Sequence, residues 1–341
     1  MPLRCLCKQA EAAANPFLCI DSLMVAPDLP MEALMKLGHV VAMLGMCLFL
    51  SGFADPAPRP EANDGAPDAT QAASVRPASK SSSSETSGGS TELRSMTAED
   101  AIRAVSVASP YRISEHAAMG KIRYRIAMRD GILWPWPETG EQHVAYDGDT
   151  VVLTVCHDCG EEAPPSAAEL VRDLQPNRWA DNSDGKIRML ASDVRGATVD
   201  RRMRLLVRAV QLQMNGPIDF DGYLTSREAY ETRKGDCTEF ALLLAASAKA
   251  RHIPVRVVAG IAYASRFLGM KRVFGPHMWV QAWNGTRWTS YDAGLGEFDS
   301  THIVLTIGDG SPTMLAAAFA KLQALRIVSA QGILPALASG R

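Results

Sequence analysis

The chain has 341 residues, of which 47% are hydrophobic and 21% charged, with a net charge of −2. That composition excludes a disordered or collagen-like polymer and gives length for about two domains of ordinary size. The near balance of charge leaves no global field to recruit nucleic acid or anionic lipid, so no nucleic-acid partner is expected.

In chain order, the first feature is Val40 to Leu50, an apolar run of signal-peptide length with Lys36 before it and Gly52-Phe53-Ala54 after it. Small residues at the minus-three and minus-one places predict cleavage after Ala54, which would make residues 1–54 a leader region and the mature protein periplasmic or secreted. The run falls short of the roughly 20 apolar residues that span a bilayer; an uncleaved anchor is the alternative. Cys47 has no small residue before it, which weakens a lipoprotein reading. Met1 to Pro30 carries three acidic residues and three cysteines, unlike a leader, and points to a true start at Met31 or Met35. Residues 55–96 are Pro, Ala, Ser, Thr and Gly with almost no large apolar side chain. Such a stretch cannot bury enough surface to offset the entropy of ordering and reads as a disordered linker.

A small β-rich domain is predicted over 97–165. Ile122, Tyr124, Ile126 and Met128 alternate, Asp130-Gly131 marks a turn, and Val151 to Cys156 forms a second apolar strand. From 166 to 310 the period turns helical before returning to strands. Ser166 and Glu169 form a capping-box pattern, and helices are predicted near 184–193 and 199–214. In the second of these, Met203, Leu206, Val207, Val210 and Met214 share a face, which leaves Arg201, Arg202, Arg204 and Arg208 to water. A C-terminal helix and tail are expected over 311–341.

Asp236-Cys237-Thr238-Glu239 is another capping-box pattern, with Asp236 as cap, Glu239 reaching back and Cys237 at the first helical position. A cysteine at a helix N-terminus is favoured as thiolate, the reactive form. An isolated cysteine in an apolar segment is more often a buried small hydrophobe, so the case rests on its partners. His277 to Trp283 runs into Asn284-Gly285, a strong signal for a two-residue type I′ hairpin, and Thr286 to Asp292 returns from it. In that register Trp283 faces Thr286, Gln281 faces Trp288, Trp279 faces Ser290 and His277 faces Asp292, whose carboxylate would then fix the imidazole tautomer. Cys237 as nucleophile, His277 as base and Asp292 as orienter would make a catalytic set for acyl transfer. Trp279, Trp283 and Trp288 read as packing.

The stretch Arg233 to Ala241, then Ile253-Pro254-Val255-Arg256, then His277-Met278-Trp279-Val280 and Asp292 resembles the bacterial transglutaminase-like superfamily, whose catalytic Cys, His and Asp arrive in this order. The resemblance covers about residues 170–310. It implies an α+β, papain-like transglutaminase core in which the helix bearing Cys237 packs on an antiparallel sheet. It also implies a thioester acyl-enzyme formed on Cys237 and a protein or peptide substrate. Hydrolysis of a peptide or amide is the favoured outcome; crosslinking of the protein-glutamine γ-glutamyltransferase kind and a non-catalytic envelope-binding module are the alternatives. Animal transglutaminases use an upstream tryptophan as oxyanion donor, and none lies between Ala180 and Asp236. The Cys237 amide would serve as one donor, and Tyr223 or Tyr230 is a candidate for the second. Asp219 and Asp221 read as loop solvation rather than a calcium site, and no cofactor or metal is expected.

Beyond the leader the chain keeps three cysteines, Cys156, Cys159 and Cys237. The first two form Cys-His-Asp-Cys at a strand end, where a disulfide is the favoured reading in an exported protein. A zinc site with His157 or His143, or a redox pair, are the alternatives.

Overall fold

A computed structural model describes residues 97–333. The expected leader, its cleavage site, the linker up to residue 96 and the last eight positions of the tail lie outside those residues.

The elements in order are α1 (Ala98–Val105), β1 (Val107–Ala108), α2 (Glu115–Ala118), β2 (Lys121–Met128), β3 (Gln142–Asp147), β4 (Thr150–Val155), α3 (Ala167–Arg172), α4 (Gly185–Ser192), α5 (Val199–Gln213) and α6 (Ser226–Thr232). They continue with α7 (Cys237–Ala250), β5 (Val255–Phe267), β6 (Met270–Trp283), β7 (Trp288–Tyr291), β8 (Ile303–Gly308), α8 (Pro312–Ala324) and β9 (Leu325–Ile333). Strand β9 was not among the elements read from the sequence. Its three terminal exposed residues weaken the alternation that marks a strand.

Two antiparallel sheets result. One runs β1-β6-β5-β8, with β7 also paired to β6; the other runs β3-β4-β2-β9. The class is therefore mixed α+β. Helix α7 lies against the first sheet and is buried over nearly its whole length, from Cys237 to Lys249, so its sequence is apolar all round rather than striped. Helix α5 is the opposite case: Met203, Leu206, Val207 and Val210 are buried while Arg201, Arg204 and Arg208 are exposed, as the periodicity predicts; Arg202, expected to face water with them, is half-buried with its Nε out of contact with solvent.

The β6–β7 hairpin departs from the expected register. Trp283 pairs with Trp288 and Gln281 with Ser290, so four residues, not two, make the loop. Asn284 is the reason. Its side-chain oxygen accepts from the Thr286 and Arg287 amides, each at 2.9 Å, which carries the loop two residues past the Asn-Gly pair on its C-terminal side. His277 therefore does not face Asp292 directly. Continuing the observed pairing puts Asp292 opposite Trp279, a diagonal step from His277. Because side chains alternate with a period of two, a two-residue displacement leaves both on the same face.

Glu141 links the two sheets. It is fully buried at the start of β3, and its carboxylate accepts from Ser290 N at 3.0 Å, from Ser290 Oγ and from Gln281 Nε2 at 3.2 Å. Burial pushes its pKa up, with the Ser290 and Gln281 donors pulling the other way. Glu141→Ala strands a buried amide and a buried side-chain amide, each costing about 1–3 kcal/mol. The variant should lose about 2–4 kcal/mol of stability, read as a lower urea midpoint at unchanged slope.

Cys156 and Cys159 correct the disulfide expectation: both are thiols. Cys159 Sγ donates to Thr154 O at 3.3 Å, and Asp158 N donates to Cys156 Sγ at 3.2 Å. The turn satisfies each sulfur through the backbone instead. Burial and the neighbouring Cys156 push the Cys159 thiol pKa up. The histidines proposed as zinc ligands are engaged elsewhere, His143 with Glu138 at 3.1 Å and His157 against the Phe298 ring. Among the described residues, no helix is long and apolar enough to cross a membrane.

Candidate active site

Asp236 caps α7 by accepting from Thr238 N at 2.8 Å, and Glu239 completes the capping box by accepting from Asp236 N at 2.9 Å. Gly235 precedes them at φ +140°, and a Cβ there would lie 2.5 Å from the Glu239 side chain. Only glycine lets the chain enter this tightly. Cys237 is thus fixed at the first turn, 1% exposed, where the aligned peptide dipoles favour an anion. Two carboxyls are buried beneath it. Burial raises the Asp236 pKa, assisted by Cys237 and Glu239, and burial raises Glu239 to about 7 against the pull of the Asp236 and Leu224 amides.

His277 stands on β6 opposite Gly260 of β5. Gly260 is required there, since a Cβ would meet Ile303 O at 2.0 Å and the Trp279 ring at 2.9 Å. Trp279 stacks on the His277 ring, with centroids 5.9 Å apart and planes at 21°, and is itself anchored by Nε1 donating to Ser290 Oγ at 3.1 Å. The imidazole is held from the far side by Asp292, whose Oδ2 is 2.6 Å from His277 Nε2. Asp292 Oδ1 accepts from Gly294 N at 2.7 Å and Leu295 N at 3.1 Å. With Nε2 taken, Nδ1 is buried without a hydrogen-bond partner, and Cys237 helps to hold the proton on the ring. The structure therefore places His277 against the Asp292 carboxylate through Nε2, and Cys237 is near enough to bear on the charge of the same ring.

The electrostatics suit an ion pair. Burial opposes the charged imidazole, but Asp292 and the Cys237 thiol outweigh it and push His277 up to about 10. Burial likewise favours the neutral form of Asp292, yet His277 and His302 hold its carboxyl well below the usual range. His302 was not singled out from the sequence. Its Nε2 lies 3.0 Å from the same Asp292 Oδ2, and its Nδ1 lies 3.0 Å from Asp299 Oδ1. A histidine preceding a strand carries no signal of its own; only the fold places it at Asp292.

Tyr223 and Tyr230 differ as oxyanion candidates. Tyr223 feels the charge of Cys237 and packs edge-on to Trp179 at 5.0 Å, but its hydroxyl donates to Gly310 O at 2.5 Å and would have to leave that bond. Tyr230 packs against the core, and its carbonyl holds Gln213. Asp219 accepts from the Asp221 amide at 3.1 Å, a turn rather than a ligand set. Among the described residues, one cluster of potential metal ligands occurs, His277, Asp292 and His302, and its polar atoms already hydrogen-bond one another. A groove of about 930 Å³ is lined by Tyr263, Leu295, Glu297, Asp299, Thr301 and His302. Cys237 and His277 are not in its wall.

Residues 188–293 match the family model described as the transglutaminase-like superfamily. Solved structures are also similar to this chain. One is a Cytophaga hutchinsonii protein described as a candidate cysteine protease, 16% identical, covering 63% of this chain and 83% of the other at TM-score 0.36. Another is the periplasmic domain of TgpA from Pseudomonas aeruginosa, 18% identical, covering 55% and 74% at TM-score 0.36. Red sea bream transglutaminase is 10% identical, covering 52% and 47% at TM-score 0.27. A comparison with curated proteins found no match.

Proposed function

We propose that the protein is an exported cysteine enzyme that attacks amide or peptide carbonyls through Cys237, His277 and Asp292. The observation that carries this is the buried His277 imidazole held by the Asp292 carboxylate at 2.6 Å, with Cys237 buried at the first turn of α7 and bearing on the same ring. In the resting pair the sulfur is thiolate and His277 is imidazolium. Sulfur attacks the carbonyl carbon, and the imidazolium gives its proton to the departing nitrogen, leaving a thioester and neutral His277. His277 then takes a proton from water as the water oxygen attacks the thioester. Collapse of the resulting adduct expels the sulfur as thiolate, releases the carboxylic acid and restores the thiolate–imidazolium pair.

Water is favoured over an amine as acceptor because Cys237 is 1% and His277 2% exposed. A thioester at that depth is reached by water more readily than by a lysine side chain. Export rests on the Val40 to Leu50 run and its Gly-Phe-Ala end, and a protein or peptide of the cell envelope is the substrate that such a location offers.

The test uses a peptide library containing internal glutamines, incubated with the protein with and without a primary amine, and read by mass spectrometry. Peptide cleavage or conversion of glutamine to glutamate supports hydrolysis. Amine adducts without hydrolysis would move the reading to acyl transfer. Absence of any covalent species on Cys237 with every peptide would leave a binding module.

A further inference from the structure

Asp292 serves two imidazoles. Its Oδ2 meets His277 Nε2 at 2.6 Å and His302 Nε2 at 3.0 Å, and the far nitrogen of His302 meets a second carboxylate, Asp299 Oδ1, at 3.0 Å. A neutral imidazole has one N–H and cannot donate to both carboxylates; the remaining contact would set a lone pair against a carboxylate oxygen. The imidazolium donates at both ends; a ring protonated at Nε2 alone would accept from Asp299 N at 3.3 Å but would set its Nδ1 lone pair against Asp299 Oδ1 at 3.0 Å. His302 is 1% exposed, so water cannot make up the difference.

Resting on the proposed enzymatic reading, we infer that His302 is a positioning residue: a fixed cation that locks the Asp292 carboxylate and, by its charge, holds down the proton affinity of His277 so that His277 can release its proton to the leaving group. The charged and titratable groups around it agree. Asp292 follows β7, Asp299 lies on its own loop, and the His277 ring of β6 is 5.4 Å from its own. Tyr124 of β2 donates to Ser300 O beside it, and the rings of Trp279 and Phe298 fill the remaining sides at 5.2 Å each. Burial opposes a charge on His302, but its bonds to Asp292 and Asp299 outweigh that and raise it to about 9. Two carboxylates on opposite nitrogens thus favour the cation at neutral pH. Without it His277 would face the Asp292 carboxylate with no competing cation, and would hold its proton to higher pH.

Two variants separate charge from packing. His302→Phe keeps a ring between Trp279 and Phe298 but offers no donor, and His302→Gln keeps a neutral donor for Asp292. His302→Phe should lower kcat/KM by about 10- to 100-fold through a loosened carboxylate. His302→Gln should recover part of that loss, while the alkaline limb of the kcat/KM profile still moves to higher pH. Ring ¹⁵N resonances of the full chain give a readout independent of turnover. Both nitrogens of His302 should be protonated at pH 7, and the His277 titration should move up in His302→Gln even if no substrate is ever found. A neutral His302 at pH 7, or an unmoved His277 titration in folded His302→Gln, overturns the inference. Absent amide turnover together with the expected resonances would instead count against the enzymatic reading alone.

Discussion

Asp292→Asn is expected to lower kcat/KM by about 10⁴-fold, the size found when the orienting carboxylate of a serine-type triad is neutralised. The reason is specific to this geometry. Gly294 N and Leu295 N donate to Oδ1, so an asparagine keeps its oxygen there and turns its NH₂ towards the two imidazoles. His277 Nε2 must then accept, which moves the ring proton to Nδ1, the atom facing sulfur. That tautomer cannot take the thiol proton. The same pair carries pH-dependent stability. His277 is raised from 6.5 to about 10, so its contribution is complete below about pH 6.5 and lost as pH rises through about 10. Asp292 is depressed below 3.8, so its contribution is present above that value and lost as pH falls through the depressed one. The stability gap between wild type and Asp292→Asn should therefore be widest between about pH 4 and 6.5 and narrow towards both extremes. Urea midpoints across that range check it, and a gap independent of pH would contradict the buried ion pair.

How far the sequence reveals this site depends on whether each contact is local. The Asp236–Glu239 capping box and the start of α7 follow from spacings within one helix and are observed as read, as are three of the four water-facing arginines of α5, Arg202 being half-buried. The hairpin was legible in parity but not in register: Asn-Gly signals a tight turn, yet the Asn284 side chain has its own use for the loop amides. Since the error was two residues, the faces survived and His277 still meets Asp292. The Cys-x-x-Cys spacing permits a disulfide, but whether the sulfurs turn towards each other or to Thr154 O and the Asp158 amide is decided by the turn. His302 and Glu141 were illegible because their partners are distant in sequence or in another sheet. Glu141 lies 149 residues from Ser290, and no period or motif reports such a contact. A buried acid among polar residues at a strand start reads as a loop until the fold closes over it.

Cys237→Ala is expected to abolish acyl-enzyme formation, and Cys237→Ser to leave nearly none, because a hydroxyl is a far weaker nucleophile at neutral pH. Both should fold, since alanine and serine fit the volume of the buried thiol. His277→Ala should cost at least as much as Asp292→Asn, because it removes both the base that ionises the thiol and the acid that protonates the leaving nitrogen. The decisive measurement is the double variant. Asp292 acts on the reaction only through the His277 ring, which it holds at 2.6 Å. Once that ring is gone, neutralising the carboxylate has nothing left to misorient. His277→Ala/Asp292→Asn should therefore be no more than about threefold worse than the poorer single variant, the strong non-additivity of residues that act as one unit. Losses that multiply in full would mean that Asp292 and His277 contribute by separate routes, and the orienting role would then pass to a test of Asp299 or Glu297, the other carboxylates on the loop after β7.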